Sequence, residues 1–529
     1  MLNTSKSMHG MVVAPHHLAA QAGLAVLREG GNAIEAAVAA AAAVAVVYPH
    51  MNSIGGDNFW LVAEPGSPPQ AIMACGGAGA QATPEAYLGA GHGTIPPRGP
   101  LAANTVAGAV SGWEAALGVS RCWGGRLPLT RLLADAIGYA RDGFPVTNSQ
   151  HRYTAAKRTD LQDIPGYADQ FLPEGAPPEA GALFRQPRLG ETLQRLGRVG
   201  LDDFYRGEIG AANAADLRRI GSPVTAADLA GHHAIEARPL AVSLRAGTVY
   251  NVPPPTQGLA SLIILGVFDR LGCPEAEGFA HLHGLVESTK QAFLVRDRIV
   301  TDPAYAREDP AAYLTPAELA KMAGRIHADR AMRWPAPPSG GDTIWLGVID
   351  GTGRAVSLIQ SIYWEFGSGV VLPGTGVLWQ NRGMSFSLSE QALNALRPGR
   401  KPFHTLNPAL ARLADGRVMV YGTMGGEGQP QTQAALFTRH VLFGQELQAA
   451  ITAPRWLLGR TWGQASTNLK LESRFDPALV AALRQAGHEV EMVEPFSDLM
   501  GHAGAIVRDP AGVLAGAADP RGDGIAAGY

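Results

Sequence analysis

Thr343 is the residue whose type and setting could do chemistry. It follows RWPAPPSGGD (333–342), where consecutive prolines and glycines forbid helix and predict an exposed, flexible loop. It then opens the strand-like run TIWLGVID. A threonine hydroxyl placed there can attack the carbonyl of Asp342 and move the chain from nitrogen to oxygen as an ester, which water then cleaves. The product is a new N-terminal threonine that holds nucleophile and base in one residue. Its Oγ1 attacks, and its free α-amino group, with an unperturbed pKa of about 7.7–8.0, takes the proton. That amine exists only after cleavage. Taken alone, Gly-Asp-Thr before a strand is more often an ordinary turn, so the surrounding elements must decide.

The run TIWLGVIDGTGRAVSLIQSIY predicts a β-hairpin, Thr343–Asp350 and Arg354–Tyr363, joined by Gly-Thr-Gly. Elsewhere helical and strand patterns are mixed. HLAAQAGLAVLREGG and DPALVAALRQAGHEV have helical spacing with glycine stops, while GRVMVYGTMGG and GAIVRDPAGVLAGA predict strands with turns. The Ala/Val run EAAVAAAAAVAVVYP (35–49) is shorter than the roughly 20 residues of a membrane span, and Pro49 ends it. Asn32 and Glu35 form a reciprocal N-terminal cap in front of it, which predicts a buried core helix. Length alone allows three domains. Composition does not shift across the 333–342 loop, however, and one large α/β unit fits equally.

Bulk properties exclude several function classes. The chain has 529 residues, 46% hydrophobic and 17% charged, enough for a large core. A net charge of -3 gives no reason to expect nucleic acid or an anionic membrane surface as partner. Cys75, Cys122 and Cys273 are scattered, which predicts reduced thiols and no metal site. The start, MLNTSKSMHGMVVAPHH, lacks the apolar core of a signal peptide. GAGAQA (77–82) matches a dinucleotide fingerprint only in letters, since Pro84 follows at once and no acidic residue sits at the expected distance. The pairs His16-His17 and His232-His233 lack helical metal-ligand spacing. RPGRK (397–401) predicts a solvated loop, and neither a P-loop nor a G-x-S-x-G elbow is present.

The segment HHLAAQAGLAVLREGGNAIEAAVAAAAAVAVVYPHMNSIGGDNFWL is followed by PPPTQGLASL (253–262) and the Thr343 hairpin. FGSGVVLPGTGVLWQNRGMSFSL, RKPFHTLNPAL and YGTMGGEGQPQTQ complete the series. In that order these resemble the γ-glutamyltransferase superfamily of N-terminal-nucleophile hydrolases over nearly the whole chain. The resemblance implies an α+β fold, a four-layer αββα sandwich with two central antiparallel sheets. It implies cleavage into 1–342 and 343–529, which stay intertwined as one body, with a homodimer of such pairs as a further assembly. Thr343 falls on the nucleophile and Ser361 on the hydroxyl that orients it. Gly425 and Gly426 fall on the pair whose N–H groups form the oxyanion hole, where a close approach of backbone suits glycine. No metal or organic cofactor is implied.

The departures bear on specificity. Where γ-glutamyltransferases hold the substrate α-carboxylate with an arginine, this chain has MACGGAGAQATPEAY. Where they grip the α-amino group with paired acids, it has QNRGMSF (380–386), with Ser385 in place of an aspartate. Two serines expected further on become His404 and Thr405. Two lost charge-assisted contacts at roughly 1.5–3 kcal/mol each make a glutamyl group a poor fit. The same segments look like the oxamate amidohydrolase branch, a cytoplasmic group, with Arg382 as the new cation for a small anionic amide. The alternatives are a γ-glutamyltransferase or glutathione hydrolase, a cephalosporin-acylase-like amidase, and an uncleaved homologue that only binds.

Overall fold

Two seven-stranded antiparallel sheets face each other, and helices cover the outer face of each. The computed structural model describes residues 2–334, 342–459 and 466–529. Most of the proline- and glycine-rich loop read in front of Thr343 therefore lies outside the described residues. The sheet that carries Thr343 runs in the order Ile525–Gly528, Gly10–Ala14, Asp342–Asp350, Ala355–Tyr363, Asp57–Ala63, Gln70–Ala74, Ile235–Ala237. Strands from before and after Thr343 thus lie side by side within one sheet. The facing sheet runs Ser5–Ser7, Leu514–Ala518, Ala503–Arg508, Val418–Thr423, Ala409–Leu413, Gly247–Asn251, Leu240–Leu244.

The helix Ala33–Val47 is buried along its whole length, and the reciprocal Asn32–Glu35 cap is present. Alanine and valine on every side allow it to be packed on every side. It lies with His17–Arg28 and Ala109–Cys122 on the outer face of the Thr343 sheet. Gly258–Leu271, Phe279–Ile299 and Gln429–Phe437 cover the other sheet. The result is the four-layer αββα sandwich expected above. Among the described residues no helix is long and apolar enough to cross a membrane.

Between the sheets a third core joins Met11, Phe59, Leu61, Trp345 and Ile359 to Leu410, Val420 and Ile506. Trp345 sets the spacing. Its Nε1 donates to Ser357 Oγ at 3.0 Å on the neighbouring strand, and its ring lies against two glycines of the facing sheet. A Cβ at Gly422 would stand 2.2 Å from the ring, and one at Gly504 2.4 Å. Gly422→Ala should therefore destabilise the protein by about 1–3 kcal/mol, the usual cost of overpacking. Urea unfolding measures this, and an unchanged midpoint would contradict the packing described.

Candidate active site

The strand Asp342–Asp350 does not pair evenly with its neighbour. Asp342 lies opposite Tyr363 but Ile344 opposite Gln360, so the register slips at Thr343. Such a bulge re-aims a side chain. Here the buried Thr343 hydroxyl donates to Ser361 Oγ at 3.3 Å. Ser361 Oγ also accepts the Tyr363 N–H at 2.8 Å. The chain then turns sharply, with Tyr363 at φ 82° and Phe366 at φ 59°, a region that costs a bulky residue roughly 1–3 kcal/mol. On the other side of Ser361 the next strand places Asp57 directly opposite it. Opposite residues in an antiparallel ladder point to the same face. Three adjacent strands thus deliver Thr343, Ser361 and Asp57 as one row at the end of the inter-sheet core.

Arg382 lies in a short 3₁₀ turn, Arg382–Ser385, and is completely buried. Its guanidinium sits 3.8 Å over the Tyr363 ring, and Nη1 donates to Thr405 Oγ1 at 3.3 Å. Nε and Nη2 have no hydrogen-bond partner, and the buried Asn104 Oδ1 and Gln380 Oε1 also lack one. Buried polar atoms are seldom left so, and several together are what a small polar ligand would satisfy. His404 is buried edge-on against Phe59, its Nε2 3.4 Å from Asp57 Oδ2. Burial pushes His404 well below its usual range, so it is neutral. Burial also pushes the Asp57 carboxyl up to about 7, with Arg382 pulling the other way. The 3.4 Å contact is therefore not an ion pair at neutral pH. Arg382 itself is lowered by burial to about 10 and keeps its charge.

Gly425 and Gly426 follow the strand Val418–Thr423 at φ 120° and 50°, values that favour glycine, and lead into the helix Gln429–Phe437. N–H groups at such a helix start have no intrahelical acceptor. Gln257 ties this turn to the rest: Nε2 donates to Gly426 O at 2.8 Å and to Thr405 O at 2.7 Å. Its Oε1 accepts from the buried Arg296 at 3.1 Å. The residues expected from sequence therefore meet: Thr343 with Ser361, Arg382 with Thr405, and His404–Thr405 with Gly425–Gly426 through Gln257.

Asp57 and Gln257 were not singled out by their residue types. Both lie inside segments that carried the family resemblance, but nothing local distinguishes them from a strand start and a helix cap. Ser385 donates to the carbonyls of Arg382 and Phe403, so its role is to hold the turn. The RPGRK reading is corrected in part: Arg400 is buried and donates to the Leu393 and Ala395 carbonyls, because the chain tucks beneath Ala78. His283, Glu287 and His488 lie close enough to hold a metal ion. The two imidazoles are hydrogen-bonded to each other, and Glu287 is taken by Lys290 and the Met332 N–H. An open cleft of about 440 Å³ near Phe184 and Val371 includes none of the residues above.

Gln257→Leu should remove one hydrogen bond each from the Thr405 and Gly426 carbonyls and from Arg296, which keep Asn407, the Gln429 N–H, and Asp297 with Glu427 as their other partners. A loss of roughly 0.5–1.5 kcal/mol per hydrogen bond is expected, read by chemical denaturation. Wild-type stability in this variant would mean that Gln257 does not tie the two segments together.

Residues 19–529 match the family model described as Gamma-glutamyltranspeptidase. The chain is 57% identical over 530 residues to the oxamate amidohydrolase proenzyme of Klebsiella pneumoniae subsp. pneumoniae, covering all of both chains. It is 41% identical to the glutathione hydrolase-like YwrD proenzyme of Bacillus subtilis, over 98% of each. Its fold superposes on the crystal structure of cephalosporin acylase from Bacillus halodurans with a TM-score of 0.92 and 34% identity, over 100% of this chain and 97% of that one. With a four-layer sandwich and a family match over nearly its full length, the chain belongs to the gamma-glutamyltranspeptidase family.

Proposed function

We propose that the protein is an autoprocessing N-terminal-threonine amidohydrolase that hydrolyses a small anionic amide such as oxamate through an acyl-enzyme. The observation that carries the substrate reading is Arg382, a fully buried cation with two unpartnered donors that stacks on Tyr363, two residues beyond Ser361. A guanidinium grips both oxygens of a planar carboxylate and leaves the adjacent amide carbonyl exposed to attack. The Klebsiella relative, named for oxamate and covered end to end, supports the same choice.

In this reading Thr343 Oγ1 attacks the Asp342 carbonyl, the peptide becomes an ester, and water releases the fragments 1–342 and 343–529. The fragments remain intertwined, because their strands share a sheet. In turnover Oγ1 attacks the substrate amide while the new amine takes its proton. Ser361 orients Oγ1, and the Gly425 and Gly426 N–H groups hold the oxyanion. The amine returns the proton to the departing nitrogen, which leaves as ammonia, and water then opens the acyl ester. Transfer of the acyl group to an amine in place of water would use the same steps. His404 and Thr405 line the substrate side, Thr405 by fixing Arg382 Nη1. A γ-glutamyl substrate fits less well: Ser385 is committed to the main chain, and Asp57, its carboxyl pushed up to about 7 by burial, is only partly ionised at neutral pH and a weak grip for an α-amino group. The cytoplasm is the compartment that accompanies the oxamate branch. A homodimer of processed pairs is the assembly we propose to look for.

On a denaturing gel the wild type should run as two fragments, the smaller beginning with threonine by N-terminal sequencing. Thr343→Ala should stay a single inactive chain. An active, uncut wild type would rule out the mechanism, and an inactive, uncut one would revive a protein that only binds. For the substrate, Arg382→Lys keeps the charge but loses the two-point grip. It should raise KM for oxamate by roughly tenfold, a cost of about 1.4 kcal/mol, in an ammonia-release assay. Arg382→Ala with unchanged KM and kcat would remove Arg382 from the site.

A further inference from the structure

Asp57 is the member of the Thr343–Ser361–Asp57 row to which the chemistry above gives no task. We propose that Asp57 sets the charge requirement of the substrate: as a neutral acid it leaves the Arg382 charge free for a substrate carboxylate, and as a carboxylate it compensates that charge. The inference rests on Arg382 being the anion anchor.

The two groups share their neighbours without forming an ion pair: adjacent residues Thr405 and His404 touch Arg382 and Asp57 respectively. The turn that delivers Asp57 is pressed between the Arg382 segment and the Ser361 strand. Gly55 bridges Trp379, and the Gln380 N–H donates to Gly55 O at 3.1 Å. A Cβ on Gly55 would stand 2.2 Å from Leu378 O, and one on Gly56 2.1 Å from Ser361 O. Only glycines permit so close an approach. Asp57 Oδ1 is fixed by the Gly108 and Gly76 N–H groups at 2.9 and 3.4 Å. Oδ2 has no hydrogen-bond partner, and neither do Arg382 Nε and Nη2. A buried acid and a buried base with idle atoms and shared neighbours are an incomplete site. A third group, itself an anion, can complete it.

The titratable neighbours leave Arg382 as the main charge that Asp57 senses. On the adjoining strand end, burial pushes the Cys75 thiol up to about 12, and on a packed helix Tyr205 is raised as well. Both are neutral near pH 7. His404 is neutral, and Lys401, which acts on His404 and Cys75, is the next cation. The sign follows. Below about pH 7 Asp57 holds its proton, the Arg382 charge is uncompensated, and an anion binds. Above that pH Asp57 ionises, compensates the Arg382 charge through the low-dielectric interior and repels an incoming anion, so affinity falls. By linkage, an anion bound near pH 7.5 should bring a proton with it.

The test compares processed wild type, Asp57→Asn and Arg382→Ala from about pH 5.5 to 9, spanning the carboxyl and amine titrations. It reads KM for oxamate and Ki for oxalate, an unreactive dicarboxylate of the same size. In the wild type both constants should rise above pH 7, approaching about tenfold per pH unit. In Asp57→Asn they should change less than about threefold, while the pH dependence of kcat, set by the Thr343 amine in both enzymes, persists. The same rise in Asp57→Asn as in wild type overturns the inference but leaves the anchor standing, provided Arg382→Ala weakens both constants. Unchanged constants in Arg382→Ala instead remove the anchor itself. Should Asp57→Asn fail to process, calorimetry of oxalate binding to wild type in buffers of different ionisation enthalpy decides. Proton uptake at pH 7.5 supports the proposal, and none overturns it.

Discussion

The hydrogen-bonded register of three neighbouring strands is the constraint on which the site depends. Thr343 and Ser361 face each other across one hairpin, Asp57 lies far away in sequence, and the three become a row only because Ala355–Tyr363 is paired on both sides. A slip of one residue in either ladder would turn one member of the row to the helix-covered face. The register is held by the same alternation that buries Ile359, Phe59 and Trp345 between the sheets. Hydrophobic burial therefore positions the polar groups, and the bulge at Thr343 makes the last adjustment.

The second constraint is the distance between the sheets. Trp345 against Gly422 and Gly504 brings Val418–Thr423 down onto the Thr343 strand. That brings Gly425 and Gly426, which directly follow, to the same end of the core. Gln257 then links this turn to the His404–Thr405 segment by two short hydrogen bonds. The turn is held from that side by one buried amide with the Arg296 charge behind it, and from within by the Gly428 N–H on Gly425 O.

Electrostatically the site is unusual in what it leaves undone. A cation buried as deeply as Arg382 is normally paired. Here it has a hydroxyl, the face of Tyr363 and a carboxyl that burial keeps protonated until about pH 7. The protein retains this costly arrangement within a fold that supports it on every side, as expected where strain and unpaired polarity serve binding rather than stability.

How much of this could be read without coordinates differs from residue to residue. The helix Ala33–Val47 with its cap, the hairpin after Thr343 and the special setting of Thr343 itself were legible, because each is a local matter of spacing, capping and turn chemistry. The αββα layering and the places of Ser361, Gly425 and Gly426 were legible through resemblance, since ordered motifs stand in for contacts that periodicity does not report. Arg382 was visible as a charge in a changed motif, but its burial was not, and neither was the inward turn of Arg400. Asp57 and Gln257 were invisible as functional groups. Their significance lies in cross-strand register, in unpartnered atoms and in desolvation, properties of the space between segments hundreds of residues apart. A sequence states which groups a chain owns. Only the packed structure decides which of them are taken out of water, which find partners, and which are left waiting for one.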